Sequence, residues 1–192
     1  MADWVDRQLV ARGIRDRRVL AAMRAVPRER FVPERARSHA YDDEALLLGY
    51  GQTISQPYIV ALICEALTLR GDEHVLDVGT GSGYQAAVLA ELAGSVVSIE
   101  RIPELAALAR ENLAGTGVEV VVGDGTRGVP HRWPFDAIAV AAAADELPRA
   151  LVDQLSPRGR IVIPIGETLV RVDAIAPARF VPLVSGALTE PE

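Results

Sequence analysis

The chain has 192 residues, enough for one well-buried domain and short for two. Hydrophobic residues make up 49%, and 20 basic against 26 acidic residues give a formal net charge of −6, which argues against a role on phosphate backbones. No run approaches the ~20 apolar residues that span a bilayer, and the start, Met1-Ala2-Asp3-Trp4, lacks a signal-peptide pattern, so nucleic acid and membranes are not expected partners and the cytoplasm is the expected compartment.

In chain order, Asp16 is placed to cap a helix carrying Val19, Leu20, Met23 and Val26 at helical spacing, ended by Pro27, so the first forty residues read as a helical cap. Tyr41–Gln56 is glycine-bearing and irregular, and Ser55 stands where an N-cap would for an apolar helix over Pro57–Leu69. Strand and helix then alternate: His74–Val78, a glycine turn, a helix through Ala93, Ser95–Glu100, a helix through Leu113, and Val118–Val122. Phe135–Val140 and Arg160–Ile165 are further buried-strand patterns, separated by a helix over Glu146–Leu155. Beyond Gly166, Leu169–Ile175 and Arg179–Leu183 can pair across Ala176–Pro177. The pattern is that of an α/β, doubly wound, mostly parallel sheet with helices on both faces.

Three loops carry chemistry. Val75-Leu-Asp-Val-Gly79-Thr-Gly81-Ser-Gly83 runs a buried strand into a glycine turn that opens a helix, so a ligand can approach bare backbone, although a tight strand-to-helix connection also uses glycine. Glu100 ends the next strand, where a carboxylate can accept from both hydroxyls of a ribose; alone it would read as a solvated charge. Asp124, between Gly123 and Gly125, can accept from an adenine amine, although turn chemistry explains Gly-Asp-Gly equally well. Together they fit an adenosine cofactor. The spacing G-x-G-x-G, in place of G-x-G-x-x-G, favours one without a pyrophosphate, and S-adenosylmethionine is the common choice, with Asp77 in reach of its amino group. The polar loop before Pro57 lies near the chemical end, where a helix N-terminus favours an anion such as a substrate carboxylate. Cys64 is the only cysteine and His39, His74 and His131 lack ligand spacing, so no disulfide and no metal are expected.

Gly51-Gln-Thr-Ile-Ser-Gln-Pro-Tyr58, Asp77-Val-Gly-Thr-Gly-Ser-Gly-Tyr-Gln85 and Gly123-Asp-Gly125 form a set that resembles the protein-L-isoaspartate O-methyltransferase family. Arg28-Glu-Arg-Phe-Val-Pro33, Pro134-Phe-Asp-Ala-Ile138, Ala142-Ala-Ala144 and Phe180-Val-Pro-Leu183 follow that family's landmarks in order. The resemblance implies a methyltransferase sandwich in which residues 1–56 form a helical cap and active-site loop, part of the same domain as the S-adenosylmethionine-binding region over 57–192. It implies Ser55 as the active-site serine. Gln52, Thr53, Ile54, Gly79, Gly81, Gly83, Glu100, Asp124 and Gly125 would border the cofactor. The implied substrates are damaged proteins and peptides bearing L-isoaspartyl, and by extension D-aspartyl, residues, handled by a monomer. Ala141 and Thr126 depart from the family pattern, and Gly166 to Phe180 is shorter than its usual hairpin, which leaves a non-catalytic cofactor-binding module as the alternative. A nicotinamide oxidoreductase on the same sheet geometry is the remoter rival.

Overall fold

The computed structural model of the protein describes residues 3–174. The contiguous apolar runs become strands buried on both faces: β3 (His74–Val78), β4 (Ser95–Glu100), β6 (Phe135–Val140) and β7 (Leu155–Ile165). With β5 (Glu119–Val122) and β8 (Thr168–Asp173) they form a six-stranded sheet of order β5-β4-β3-β6-β7-β8. All neighbours are parallel except β7 and β8. Side chains alternate along each strand, so Val75, Val96, Ala137 and Val162 enter one core layer, and Leu76, Val97, Ile138 and Ile161 enter the other.

The first layer is closed by α1 (Trp4–Gln8), α2 (Arg17–Ala25), α3 (Pro57–Leu67) and α4 (Tyr84–Ala90), through Val5, Met23, Ile63 and Leu89 among others. The N-terminal segment therefore shares one core with the sheet. Asp16 caps α2 as its sequence position predicts, accepting from the N–H of Arg18 at 2.7 Å and of Val19 at 3.3 Å, an arrangement that contributes about 1 kcal/mol. The second layer is covered by Leu151 of the short α6 (Arg149–Val152) and by Val129, while α5 (Pro103–Asn112) links β4 to β5.

The chain winds outward from β3 through β4 to β5, then crosses back to β6 on the other side of β3. At that reversal the connections leaving β3 and β6 diverge and open a crevice at the carboxyl ends of the strands. The site is built there.

Four elements differ from the sequence expectation. The irregular loop before α3 contains a small antiparallel hairpin, β1 (Leu46–Gly49) and β2 (Gln52–Ile54), turned by Tyr50 and Gly51 at positive φ. The helix expected over Glu146–Leu155 is only α6, because Pro148 disfavours helical geometry at Leu147 and the helix starts after it. Leu155 instead opens β7, which pairs through an irregularity before Arg160. The strand expected at Leu169–Ile175 is β8, paired antiparallel with β7 across Gly166, and its expected partner Arg179–Leu183 lies outside the described residues, as does the Phe180–Leu183 landmark.

Candidate active site

The loops after β3, β4, β5 and β6, together with β2 and the segment into α3, enclose a cavity of about 550 Å³. Of the residues singled out in the sequence, Gln52, Thr53, Ile54, Ser55, Gly79, Gly81, Glu100, Asp124 and Gly125 line it; Asp77 and Gly83 do not. Thr80, Ser82, Gln85, Arg101 and Pro148 also line it, and sequence reasoning had not placed them there; Ala141–Ala144, which the sequence puts at the end of the strand Phe135–Val140, line it as well.

The glycine turn is held from below. Gly79 at φ 93° and Thr80 both donate to the Ile99 carbonyl, at 2.9 and 3.3 Å, and the Gly81 N–H donates to Glu100 Oε2 at 2.9 Å. Glu100 Oε1 accepts from the Ile102 N–H at 3.0 Å, so one carboxylate fastens two loops while lining the cavity. Each oxygen keeps a lone pair for a further donor. At Gly81, φ is 54° and a Cβ would stand in ordinary contact with Leu48 at 3.5 Å, so this glycine answers to backbone conformation and not to a steric clash. Gly83 has a different task from the one the sequence suggested. It starts α4, and a Cβ there would stand 2.9 Å from Leu113, so its bareness serves helix packing. Gly125 likewise faces the core, where a Cβ would meet Val78 at 2.6 Å.

Asp77 needs a second correction. It is completely buried, and its oxygens are taken by Gln85 Nε2 at 2.7 Å and Ser98 Oγ at 2.6 Å, so it does not reach the cavity itself. Ser98 Oγ also lies 2.6 Å from Thr80 Oγ1, tying this network to the glycine turn. Burial raises the Asp77 pKa to about 6, against the opposing hydrogen bonds from Ser98 and Gln85 and with a further push from the Glu100 charge. Asp124 is exposed and caps the turn that follows it, its Oδ1 accepting from both the N–H and the hydroxyl of Thr126, at 3.0 and 2.7 Å, and these bonds lower its pKa.

Ser55 is half-buried on the opposite wall. It does not cap α3 as expected: the cap residue is Gln56, without a side-chain capping bond, and Pro57 occupies the first turn. The Ser55 backbone is fixed instead by Arg28, whose Nη2 donates to the Ser55 carbonyl at 2.9 Å. Arg28 is fully buried, donates also to the carbonyls of Ala40 and Glu44, and lies 5.6 Å from the Tyr84 ring; burial lowers its pKa. Gln56 Nε2 adds a bond to the Asp43 carbonyl at 2.8 Å. After β6, Ala141–Ala144 present only methyl groups, with the Ala141 and Ala144 N–H groups satisfied by Val78 and Pro164. Among the described residues no cluster of side chains could hold a metal ion, and no helix is long and apolar enough to cross a membrane.

A crevice at the sheet's switch point, walled by a glycine turn and by the carboxylate ending the next strand, has the size and polar lining for an adenosine cofactor. The fold and cavity define a Rossmann-like S-adenosylmethionine-dependent methyltransferase. The chain matches the family described as Protein-L-isoaspartate(D-aspartate) O-methyltransferase (PCMT) over residues 4–186. A protein-L-isoaspartate O-methyltransferase of Methanoculleus marisnigri is 58% identical over 85% of this chain and 76% of its own length. One of Marinobacter nauticus is 63% identical over 83% and 74%. A solved protein-L-isoaspartate O-methyltransferase superposes with TM-score 0.74 at 34% identity, covering 81% of this chain and 52% of that one. A Plasmodium falciparum protein assigned to the same enzyme class, crystallised with S-adenosyl-L-homocysteine, gives 0.72 at 26% identity over 93% and 95%. The chain belongs to the protein-L-isoaspartate(D-aspartate) O-methyltransferase family.

Proposed function

We infer that the chain transfers the methyl group of S-adenosylmethionine to the free carboxylate of L-isoaspartyl residues, and of D-aspartyl residues, in damaged proteins and peptides. The observation that carries this reading is the meeting of the Ser55 loop and the glycine turn on the two walls of one cavity. When bound, S-adenosylmethionine supplies a methyl carbon that bonds to the carboxylate oxygen as its bond to sulfur breaks, the electron pair remaining on sulfur. Gly79, Gly81, Glu100, Asp124 and Gly125 hold the adenosine half, with Glu100 toward the ribose and Asp124 toward the base. Gln52, Thr53 and Ile54 border the methyl-donating end.

An isoaspartyl carboxyl has an unperturbed pKa of roughly 3.3–3.7, so it arrives ionised and needs no general base. Ser55 Oγ–H donates to that carboxylate and orients it, a task of proximity and alignment. The reaction joins an anion to a cation and leaves two neutral products, so a cavity walled by Val60, Val140, Ala141, Ala142 and Ile163 favours it by excluding water. The methyl-only Ala141–Ala144 segment offers no side chain to hold a nitrogen lone pair, which supports a carboxyl over an amino acceptor. The ester so formed loses methanol to attack by the neighbouring backbone nitrogen, and the resulting succinimide reopens in part to normal aspartate.

Action as a monomer is kept as part of this proposal. The division into a cap and loop over 1–56 and a cofactor-binding region over 57–192 is kept as a division within one domain, since both contribute to one core. The non-catalytic alternative is not favoured, because the named relatives match most of the chain and the described cavity contains both walls. Transfer of labelled methyl to matched isoaspartyl and aspartyl peptides is the test. Incorporation confined to the isoaspartyl peptide is expected. Cofactor binding without transfer to either peptide would restore the non-catalytic alternative.

A further inference from the structure

The β1–β2 hairpin carries two features that cost stability. Leu47 and Tyr50 are 67% and 63% exposed, more than any other large apolar side chain among the described residues. Tyr50 also holds φ at 54°, a left-handed conformation that a bulky residue adopts only under constraint, where asparagine or glycine would turn the chain at less cost. Both residues sit beside the cavity. Leu48 lies against the glycine turn, its Cδ1 3.5 Å from where a Gly81 Cβ would stand, so the hairpin reaches across to the cofactor wall. Leu46 pairs with Ile54, and both are buried; Leu47 pairs with Thr53 on the opposite face, and Thr53 lines the cavity two residues before Ser55. Two residues of strand advance ~6–7 Å and the neighbouring strand lies ~5 Å to the side, so Leu47 stands roughly 8 Å from Ser55, the reach of two to three residues of an extended peptide.

We propose that Leu47 and Tyr50 form an apolar ledge for the substrate chain, so that the protein prefers isoaspartyl sites with an apolar or aromatic side chain two or three residues away. The inference rests on the carboxyl-methylation reading of the cavity. Its occupant is the substrate because the ledge is continuous with the cavity wall: an extended peptide whose carboxylate meets Ser55 and whose chain runs along β2 covers Thr53 and then Leu47. Such a contact is the same before and during methyl transfer, so it acts on KM and leaves kcat alone.

The test is initial-rate methyl transfer to two isoaspartyl peptides that differ only in carrying leucine or serine at the second and third positions on either side of the isoaspartate. The wild-type protein should show a KM roughly three- to tenfold lower for the leucine peptide, the return on burying about half of one leucine side chain, with equal kcat. Leu47→Ser should erase this preference by raising KM for the leucine peptide alone. Tyr50→Asn keeps a residue that accepts the left-handed conformation, and it should narrow the preference while its melting temperature holds or rises. S-adenosylhomocysteine affinity should stay at the wild-type value in both variants. Equal KM for the two peptides in the wild type, or a preference that survives both substitutions, would overturn the ledge and leave the methyltransferase reading standing. A lower melting temperature for Leu47→Ser would assign the patch to packing within the chain itself, and loss of a dimer in sedimentation would assign it to a second copy; either result overturns the proposal. If the wild-type chain binds S-adenosylhomocysteine but methylates no isoaspartyl peptide, the carboxyl-methylation reading fails, and the ledge with it.

Discussion

Replacing Ser55 by alanine separates chemistry from fold unusually well in this protein, because the side chain carries no structural duty in the surrounding loop. The cap of α3 belongs to Gln56, and Pro57 has no N–H to satisfy. The bond from Arg28 lands on the Ser55 main-chain carbonyl and survives the substitution. Unfolding free energy should therefore change by no more than about 0.5 kcal/mol, the usual range for a substitution away from caps and core. Turnover should respond differently. The hydroxyl is assigned one hydrogen bond to a charged carboxylate, worth about 1.5–3 kcal/mol, so kcat/KM for an isoaspartyl peptide should fall roughly ten- to a hundredfold. The assay is initial-rate methyl transfer to one isoaspartyl peptide over a range of concentrations, paired with urea unfolding of both proteins. A folded Ser55→Ala enzyme with unchanged kcat/KM would falsify the orienting role, and a stability loss large enough to account for the lost turnover would refute the separation argued here.

Asp77 and Glu100 give further tests. The Asp77 pKa is raised to about 6 by burial, so its contribution to stability is fully present below its unfolded value of 3.8 and is lost as pH rises through 6. Asp77→Asn removes that penalty, and its unfolding free energy relative to wild type should rise by roughly 3 kcal/mol between pH 3.5 and pH 7.5; a pH-independent difference in urea titrations would contradict it. Glu100→Ala strips the Gly81 and Ile102 N–H groups of their acceptor and should weaken S-adenosylhomocysteine binding by about 1–3 kcal/mol in calorimetry. Glu100→Gln keeps an acceptor and should lose less, so equal losses would count against the hydrogen-bonding account.

Much of the fold is readable in the sequence because β3, β4 and β6 are covered on both faces, which forces unbroken apolar, β-branched runs with little competing signal. Where local chemistry is ambiguous the reading fails. The β1–β2 hairpin has strands of four and three residues around positive-φ positions, so its glycines register as loop and its apolar residues are too few to show a period. Ser156-Pro157-Arg158-Gly159 reads as a turn yet lies inside β7, at the irregularity between the Phe135 and Ala137 pairings. The cofactor side of the site is legible since glycines and a strand-end acid fall at fixed offsets in one short stretch. Arg28 is not, because its meaning lies in carbonyls 12, 16 and 27 residues away that only the folded chain collects. Gly83 illustrates the opposite error: its bareness suggested ligand contact, and the space it vacates is filled by Leu113.

The two walls of the cavity are anchored by different means, and the difference bears on what each can tolerate. The cofactor wall is continuous with the sheet: its turn hangs from Ile99 and Glu100 at the end of β4, and its polar network runs through Asp77 and Ser98 within the central strands. The substrate wall has no such backing. Ser55 follows a three-residue edge strand, and its backbone is held in place by a buried guanidinium from the N-terminal segment and by the Gln56 amide. A buried cation costs desolvation free energy, and the carbonyls of Ala40, Glu44 and Ser55 offset part of it, while Arg28 Nε is buried without an acceptor. The N-terminal segment thus acts as more than a cover over the sheet. By supplying Arg28 it converts a short polar loop, which alone would sample many conformations, into one that presents a serine hydroxyl at a fixed place opposite the cofactor turn.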